Sequence, residues 1–120
     1  MAKGDDIQER FINFSVSIIK LCEKLPDNYT GRHLSNQLLR CGTSPAHNYG
    51  EARGAESKRD FLHKLGIVLI ELNETQISLE IIKRSKIISN EIIGPIAEEC
   101  IQLSKIINSS ITTAKGKKNI

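Results

Sequence analysis

The stretch from Ser57 to Lys86 has the pattern of a long helix that is apolar on two opposite faces. One face repeats at alternating four- and three-residue steps, which is the spacing of a helix inside a bundle. A second set of isoleucines lies about 160 to 240 degrees around the helix, so the two sets cannot face the same core. The first set is Phe61, Leu65, Val68, Leu72, Leu79 and Ile82, interrupted by Thr75, and the second is Ile67, Ile70, Ile77 and Ile81. Such a helix needs two packing partners, and we expect the second to be another copy of the chain.

The length and composition indicate one globular domain. A chain of 120 residues can bury one hydrophobic core, so we expect a single domain over residues 1–120. With 39% hydrophobic and 26% charged residues, the composition differs from that of a disordered chain. The apolar runs are too short to cross a bilayer, and the start M-A-K-G-D-D lacks the features of a secretory signal. We therefore expect a cytoplasmic protein with no membrane partner.

Three further helices are predicted by apolar residues at helical spacing. The predicted helices are residues 5–25, 31–53, 57–86 and 90–115, followed by a basic tail at residues 116–120. Their predicted core residues are Ile7, Phe11, Phe14, Ile18, Leu21 and Leu25 in helix 1, Leu34, Leu38 and Cys41 in helix 2, and Ile93, Ile96, Cys100, Leu103, Ile107 and Ile111 in helix 4. Four helices of this length with short loops favour an all-α, up-down-up-down antiparallel four-helix bundle.

Two prolines leave the course of helices 2 and 4 open. Pro45 either starts a new helix with Ser44 as its N-cap or lies within one continuous helix. In the continuous helix we expect a kink, because proline removes a backbone hydrogen bond and crowds the carbonyl of Cys41. We favour the continuous, kinked helix because the residues after Pro45 keep the helical spacing. Helix 4 begins either near residue 90 or at Pro95.

The reactive side chains form no motif for catalysis or metal binding. Cys22, Cys41 and Cys100 are odd in number and far apart, and each stands where a small apolar residue would fit, so we interpret them as buried free thiols. The histidines lack zinc-binding spacing, no E-x-x-H pair occurs, and no glycine-rich phosphate loop follows a strand. We therefore expect a protein that is not an enzyme and that uses no cofactor or metal.

Helix 2 carries a row of polar residues at steps of four, four and three. The row is Arg40, Ser44, Asn48 and Glu51. It could recognise a partner. The interpretation that we favour is structural, with Asn48 and Glu51 satisfying backbone groups freed by Pro45 or pairing with Arg40 or Arg53 between helices or subunits.

The net charge of +3 is unevenly distributed, because residues 32–64 carry six Lys or Arg against three acidic residues. A basic face can attract nucleic acid through its phosphates, while ordinary solvated helices can have the same composition. The candidate phosphate contacts are Arg32, Arg40, Arg53, Lys58, Arg59 and Lys64. Because aromatic residues are scarce nearby, we expect any binding to follow the backbone and to weaken with salt.

Four stretches of the chain share the pattern of a known family. They are Q-L-L-R-C-G-T-S-P-A-H-N-Y-G-E-A at residues 37–52, S-K-R-D-F-L-H-K-L at 57–65, E-L-N-E-T at 71–75 and S-I-T-T-A-K at 110–115. Together they resemble the bacterial four-helix bundle proteins related to those encoded in intervening sequences of 23S ribosomal RNA genes. The polar row of helix 2 stands where that family has Arg, Ser, Asn and Glu. Pro45 follows Ser44 directly, whereas many members have the proline one residue later or lack it.

The resemblance implies a four-helix bundle that assembles into a ring-like homopentamer and has no known enzyme activity. The chain is also similar to the accessory variability protein of diversity-generating retroelements, a basic pentamer that partners a reverse transcriptase and nucleic acid. We therefore expect a non-enzymatic, homo-oligomeric helical scaffold, pentameric by this resemblance, whose basic face engages RNA, DNA or a reverse-transcriptase-like protein. The alternative is a protein–protein adaptor that binds no nucleic acid.

Overall fold

The computed structural model describes residues 4–116, which form four helices. They are α1 (Asp5–Glu23), α2 (Tyr29–Arg53), α3 (Lys58–Ser85) and α4 (Asn90–Ala114). No strand occurs among the described residues, so the predicted all-α class and the four helices are confirmed. The observed helix ends differ from the predicted ones by at most two residues. Apart from Gly116, the predicted basic tail lies outside the described residues.

The order in which the helices pack is consistent with the predicted up-down-up-down bundle. Each helix packs against its neighbours in the chain, and α1 also packs against α4. Between α1 and α2, Gln8 Nε2 donates to the Ala46 carbonyl at 3.0 Å, and Ser35 Oγ donates to the Cys22 carbonyl at 3.5 Å. The start of α1 therefore lies beside the second half of α2, as expected for antiparallel neighbours. Within residues 4–116, α1 and α3 lie diagonally across the bundle, as do α2 and α4, because neither pair of helices has Cα atoms within 8 Å of each other.

The core is built from the apolar sets that the helical spacing predicts. The fully or nearly fully buried members are Phe11, Phe14, Ile18, Leu21, Leu25, Leu38, Cys41, Leu65, Val68, Leu72, Leu79, Ile82, Ile93, Cys100, Leu103 and Ile107. The partly buried members, Ile7, Leu34, Phe61, Ile96 and Ile111, lie in the first or last two turns of their helices. Thr75 is buried in the α3 series, and its Oγ1 donates to the Glu71 carbonyl at 2.7 Å, so its hydroxyl is satisfied inside the core.

The two prolines lie inside continuous helices. α2 runs through Pro45 without a break, which rules out the alternative of two separate helices, while the kink stays a prediction. α4 begins at Asn90 after Ser89, the earlier of the two predicted starts, and Pro95 lies within it. Ser57 is the N-cap of α3, because its side chain accepts a hydrogen bond from a backbone N–H three residues further on, at 3.0 Å.

Two glycines allow α2 to approach the rest of the chain closely. Asn28 caps α2 by accepting a hydrogen bond from the Gly31 N–H at 2.8 Å, and a Cβ atom at Gly31 would lie 1.7 Å from the carbonyl oxygen of Pro26. A Cβ atom at Gly42 would lie 2.8 Å from a methyl carbon of Ile18. Any larger residue at either position would therefore have to displace its neighbours.

Candidate interaction surfaces

Three isoleucines form an exposed apolar row on α3, here called the α3 ridge. Ile70, Ile77 and Ile81 are 58%, 62% and 53% exposed. At about 100 degrees per residue they fall within about 40 degrees of one another, on the side of α3 opposite its core residues. Ile67, the fourth predicted interface residue, is half-buried, because it lies about 60 degrees around the helix from Ile70 towards α2. The ridge therefore consists of three of the four predicted residues.

A second apolar surface, which was not predicted, lies between α1 and α2. Ile12, Val16 and Ile19 are 44%, 46% and 42% exposed. They form one wall of a groove of about 510 Å³, here called the α1–α2 groove. The other residues that line it are Gln8 and Ser15 of α1 and Thr43, Ala46, His47 and Gly50 of α2. The exposed α1 residues follow steps of four and three in the sequence. Because Ile12 and Ile19 directly follow core residues, this spacing did not distinguish them from the core, and the sequence could not show which residues of α2 lie opposite them.

Ion pairs join the polar row of α2 to α3. Arg40 donates to Glu74 at 2.9 Å and to Glu71 at 3.4 Å, and Lys64 donates to Glu51 at 2.6 Å. Glu51 therefore pairs with Lys64 and not with Arg40 or Arg53, the two partners that the sequence suggested. These hydrogen bonds raise the pKa of Arg40 and Lys64 and lower the pKa of Glu51. Because the side chains of Arg40 and Glu51 are 56% and 58% exposed, solvent screens both pairs and their contribution to stability is small.

Asn48 bonds within its own turn of α2. Its Nδ2 donates to the Ser44 carbonyl at 3.1 Å and to Ser44 Oγ at 2.8 Å. The carbonyl that Pro45 leaves without its usual helical donor is that of Cys41, three residues before Ser44. Asn48 therefore holds the Ser44 side chain in place and does not satisfy the carbonyl freed by the proline.

Four of the six candidate phosphate contacts form ion pairs with carboxylates. In addition to the two pairs on the polar row, Arg53 bonds to Asp5, and Arg32 bonds to Asp27 at 2.9 Å. The other two candidates, Lys58 and Arg59, are exposed and form no ion pair within the described part of the chain. A paired carboxylate offsets the positive field that would attract a phosphate. Among these six residues, the basic charge that is left to attract phosphates is therefore that of Lys58 and Arg59, at the start of α3.

The three cysteines are free thiols with little nucleophilic character. Cys41 and Cys100 are buried and Cys22 is half-buried. Burial raises the pKa of Cys22 to about 11 and that of Cys100 to about 12, and it also raises the pKa of Cys41. These thiols stay protonated at neutral pH, whereas the thiolate is the reactive form. In the region from residue 4 to residue 116, no cluster of three or more His, Cys, Asp or Glu side chains could hold a metal ion.

The sequence pattern of the 23S rRNA-intervening sequence protein family matches residues 5–109, which include α1, α2, α3 and most of α4. The chain belongs to this family. The expected family resemblance is thereby confirmed. The region that matches the 23S rRNA-intervening sequence protein family contains both the α3 ridge and the α1–α2 groove.

A solved structure supports the membership in the 23S rRNA-intervening sequence protein family. It is the crystal structure of a protein of unknown function from the S23 ribosomal protein family of Bacteroides thetaiotaomicron VPI-5482. The two chains are 34% identical and superpose with a TM-score of 0.83 over 88% of this chain and 97% of the other. No curated protein matches the chain. Among the described helices, none combines the length and the apolar character that crossing a membrane would require.

Proposed function

We propose that the protein is a non-enzymatic helical scaffold that assembles with copies of itself through the α3 ridge. The observation that carries this proposal is the exposure of Ile70, Ile77 and Ile81 in one row, on a helix whose opposite face already lies in the core. Single exposed apolar residues are common on protein surfaces, whereas an aligned row of large ones is typical of an interaction site.

The size of the ridge indicates what kind of contact it can make. Fully burying an isoleucine is worth about 1.5–3 kcal/mol, so covering three that are each more than half exposed is worth roughly 3–5 kcal/mol. Association itself costs about 4 kcal/mol or more. The ridge therefore needs a partner surface that is also apolar, or a closed assembly in which each copy makes two contacts.

A cytoplasmic ring-like homopentamer is the form that we propose for the assembly. The family membership supports it, together with the two-sided apolar pattern of α3. The non-enzymatic part of the proposal is supported by the chemistry of the thiols, whose pKa values burial raises.

The charges on the surface favour a protein partner over nucleic acid. Carboxylates of the same chain already pair with four of the six basic candidates, which leaves less basic charge to attract phosphates. Binding of RNA or DNA, or of a reverse-transcriptase-like protein that carries them, is the second candidate function, and it depends on Lys58 and Arg59. Such binding would be weak, would depend on phosphate contacts and would fall steeply with salt.

Light scattering on the variant Ile77→Glu tests the assembly. We expect the wild-type mass to be a multiple of the 13.4 kDa chain mass and the mass of the variant to fall towards that of one chain. The matched control is Ile92→Glu, because Ile92 is an exposed isoleucine of α4 outside the ridge, and it should keep the wild-type mass. Circular dichroism checks that both variants are folded. A monomeric wild type, or an Ile77→Glu variant of unchanged mass, would rule out assembly through the ridge.

The same measurement with a mixed pool of RNA and DNA tests the second candidate. Mass gained at low salt and lost at high salt supports nucleic-acid binding, and the double variant Lys58→Ala/Arg59→Ala should abolish the gain. An assembly whose mass does not change with nucleic acid at either salt concentration supports the adaptor.

A further inference from the structure

The large exposed apolar side chains of the described residues fall into two groups and two isolated residues. Ile12, Val16 and Ile19 form the α1 wall of the α1–α2 groove, and Ile70, Ile77 and Ile81 form the α3 ridge. The isolated residues are Tyr29 and Ile92. Each group lies on one helix and spans two to three turns, so each presents a continuous apolar strip rather than scattered contacts.

One copy of the chain cannot cover its own ridge with its own groove. α1 and α3 occupy opposite corners of the bundle, with no Cα atoms of the two helices within 8 Å of each other. A two-fold dimer that pairs ridge with ridge would leave both grooves open, and one that pairs groove with groove would leave both ridges open. Packing the ridge of one copy into the groove of the next is the arrangement that covers both surfaces with a single kind of contact.

The two surfaces are complementary in shape. The ridge is convex, since its isoleucines project from the outer side of α3. The groove is concave, and its residues include the small side chains of Ser15 and Ala46 and the bare backbone of Gly50. Large side chains of one helix that enter a groove between others are the usual mode of helix packing.

The two surfaces also match in length. At 1.5 Å per residue, the ridge extends about 16 Å from Ile70 to Ile81. The α1 wall of the groove extends from Gln8 to Ile19, which is also about 16 Å. A ridge laid along this groove would therefore be covered over its whole length.

We infer that the α3 ridge of one copy packs into the α1–α2 groove of the next copy, so that the copies assemble head to tail. The inference rests on the proposed function, because it requires that the ridge mediate assembly. Since the two surfaces differ, every copy in an open chain presents a free ridge at one end and a free groove at the other. Such an assembly ends only when a ring closes, and the rotation between neighbours then sets the number of copies.

Two variants that each destroy one surface test the inference by mixing. Ile77→Glu removes the ridge and keeps the groove, and Val16→Glu removes the groove and keeps the ridge. We expect each variant alone to have the mass of one chain. Their equimolar mixture should have twice the 13.4 kDa chain mass and no more. The intact ridge of Val16→Glu fits the intact groove of Ile77→Glu, and the surfaces that remain free in this pair are the two mutated ones. Ile92→Glu is the control for an added charge, and circular dichroism confirms the fold.

Cross-linking is a second test, and it also detects weak association, because the covalent products persist under denaturing conditions. The double variant Val16→Cys/Ile77→Cys, treated with a short bismaleimide, should give a ladder of covalent oligomers under denaturing conditions. Each single cysteine variant should give none. Cys41 and Cys100 are buried, and the half-buried Cys22 is replaced by serine in all of these variants to keep background reaction low.

The outcomes separate this inference from the proposal on which it rests. If Val16→Glu keeps the wild-type mass while Ile77→Glu becomes monomeric, the ridge mediates assembly and the groove does not receive it. If the Ile77→Cys single variant cross-links to itself, the contact pairs ridge with ridge and the head-to-tail arrangement is wrong. A mixture of the two glutamate variants that stays monomeric, together with a double cysteine variant that forms no ladder, overturns it as well. A wild-type monomer overturns the proposed function itself.

Discussion

The close approach of α1 to α2 at Gly42 gives a quantitative test of the core packing. A Cβ atom at this position would lie 2.8 Å from Cγ2 and 2.9 Å from Cγ1 of Ile18. Ile18 is fully buried, so its side chain has no free space into which it can turn. Forcing an extra methyl group into such a core costs about 1–3 kcal/mol.

Alanine at position 42 also has a favourable effect, because alanine favours the helix over glycine by about 1 kcal/mol. We therefore expect Gly42→Ala to lower the free energy of unfolding by about 0–2 kcal/mol in total. Gly66→Ala is the matched control, since a Cβ atom at Gly66, within α3, meets no atom within 4 Å. That variant should raise the free energy of unfolding by about 0.5–1 kcal/mol. The difference between the two variants, about 1–3 kcal/mol, isolates the contact with Ile18.

Urea unfolding followed by far-UV circular dichroism measures both effects. All samples need the same protein concentration, because assembly shifts the apparent stability. Ile18→Ala should cost less in the Gly42→Ala background than in the wild type, because the new methyl group fills part of the space left by Ile18. If Gly42→Ala stabilises the protein as much as Gly66→Ala does, the two helices do not approach as closely as described.

Three further changes test other contacts. Gly31→Ala should cost about 3 kcal/mol or more in urea unfolding, because its Cβ atom would meet the rigid backbone of Pro26; a cost near zero would contradict the described turn. The Cys100 thiol, with a pKa raised to about 12, should react with a thiol reagent only after unfolding, and fast reaction in the native protein would contradict its burial. The pKa of Glu51 is lowered from its ordinary value of 4.5 by Lys64, so its contribution to stability is present above that pH and is lost as the pH falls. In unfolding experiments over a pH series, Glu51→Gln should make the loss of stability in acid slightly less steep, and an identical slope would show that the pair does not form.

Local spacing was enough to predict most of the core. The residues that bury completely on α3, such as Leu65 and Leu79, recur at helical steps that are fixed by the backbone geometry alone. The exposed position of Ile70 and Ile77 follows from the same steps, counted around the other side of the helix. The N-cap at Ser57 is also local, because its partner is a backbone N–H three residues away.

The α1–α2 groove could not be predicted in this way. Its α1 wall follows helical spacing, but its depth depends on Ala46 and Gly50, which lie more than twenty residues further along the chain. Whether those small residues face Val16 depends on how far α2 is shifted along α1. The close contact between Gly42 and Ile18 fixes that shift, and no periodic pattern in the sequence reveals this contact.

The ion pairs between helices, like the groove, depend on the tertiary structure. The sequence by itself determined which helices form, which residues enter the core and that α3 has a second apolar face, because helical periodicity is a local property of the chain. It also determined the basic composition of residues 32–64. Only the tertiary structure decided that Arg40 meets Glu74, that Lys64 meets Glu51, and that Lys58 pairs with no carboxylate among residues 4–116. The physical reason is that an ion pair or a groove between helices requires a particular register of one helix against the next, and that register results from packing across the whole bundle.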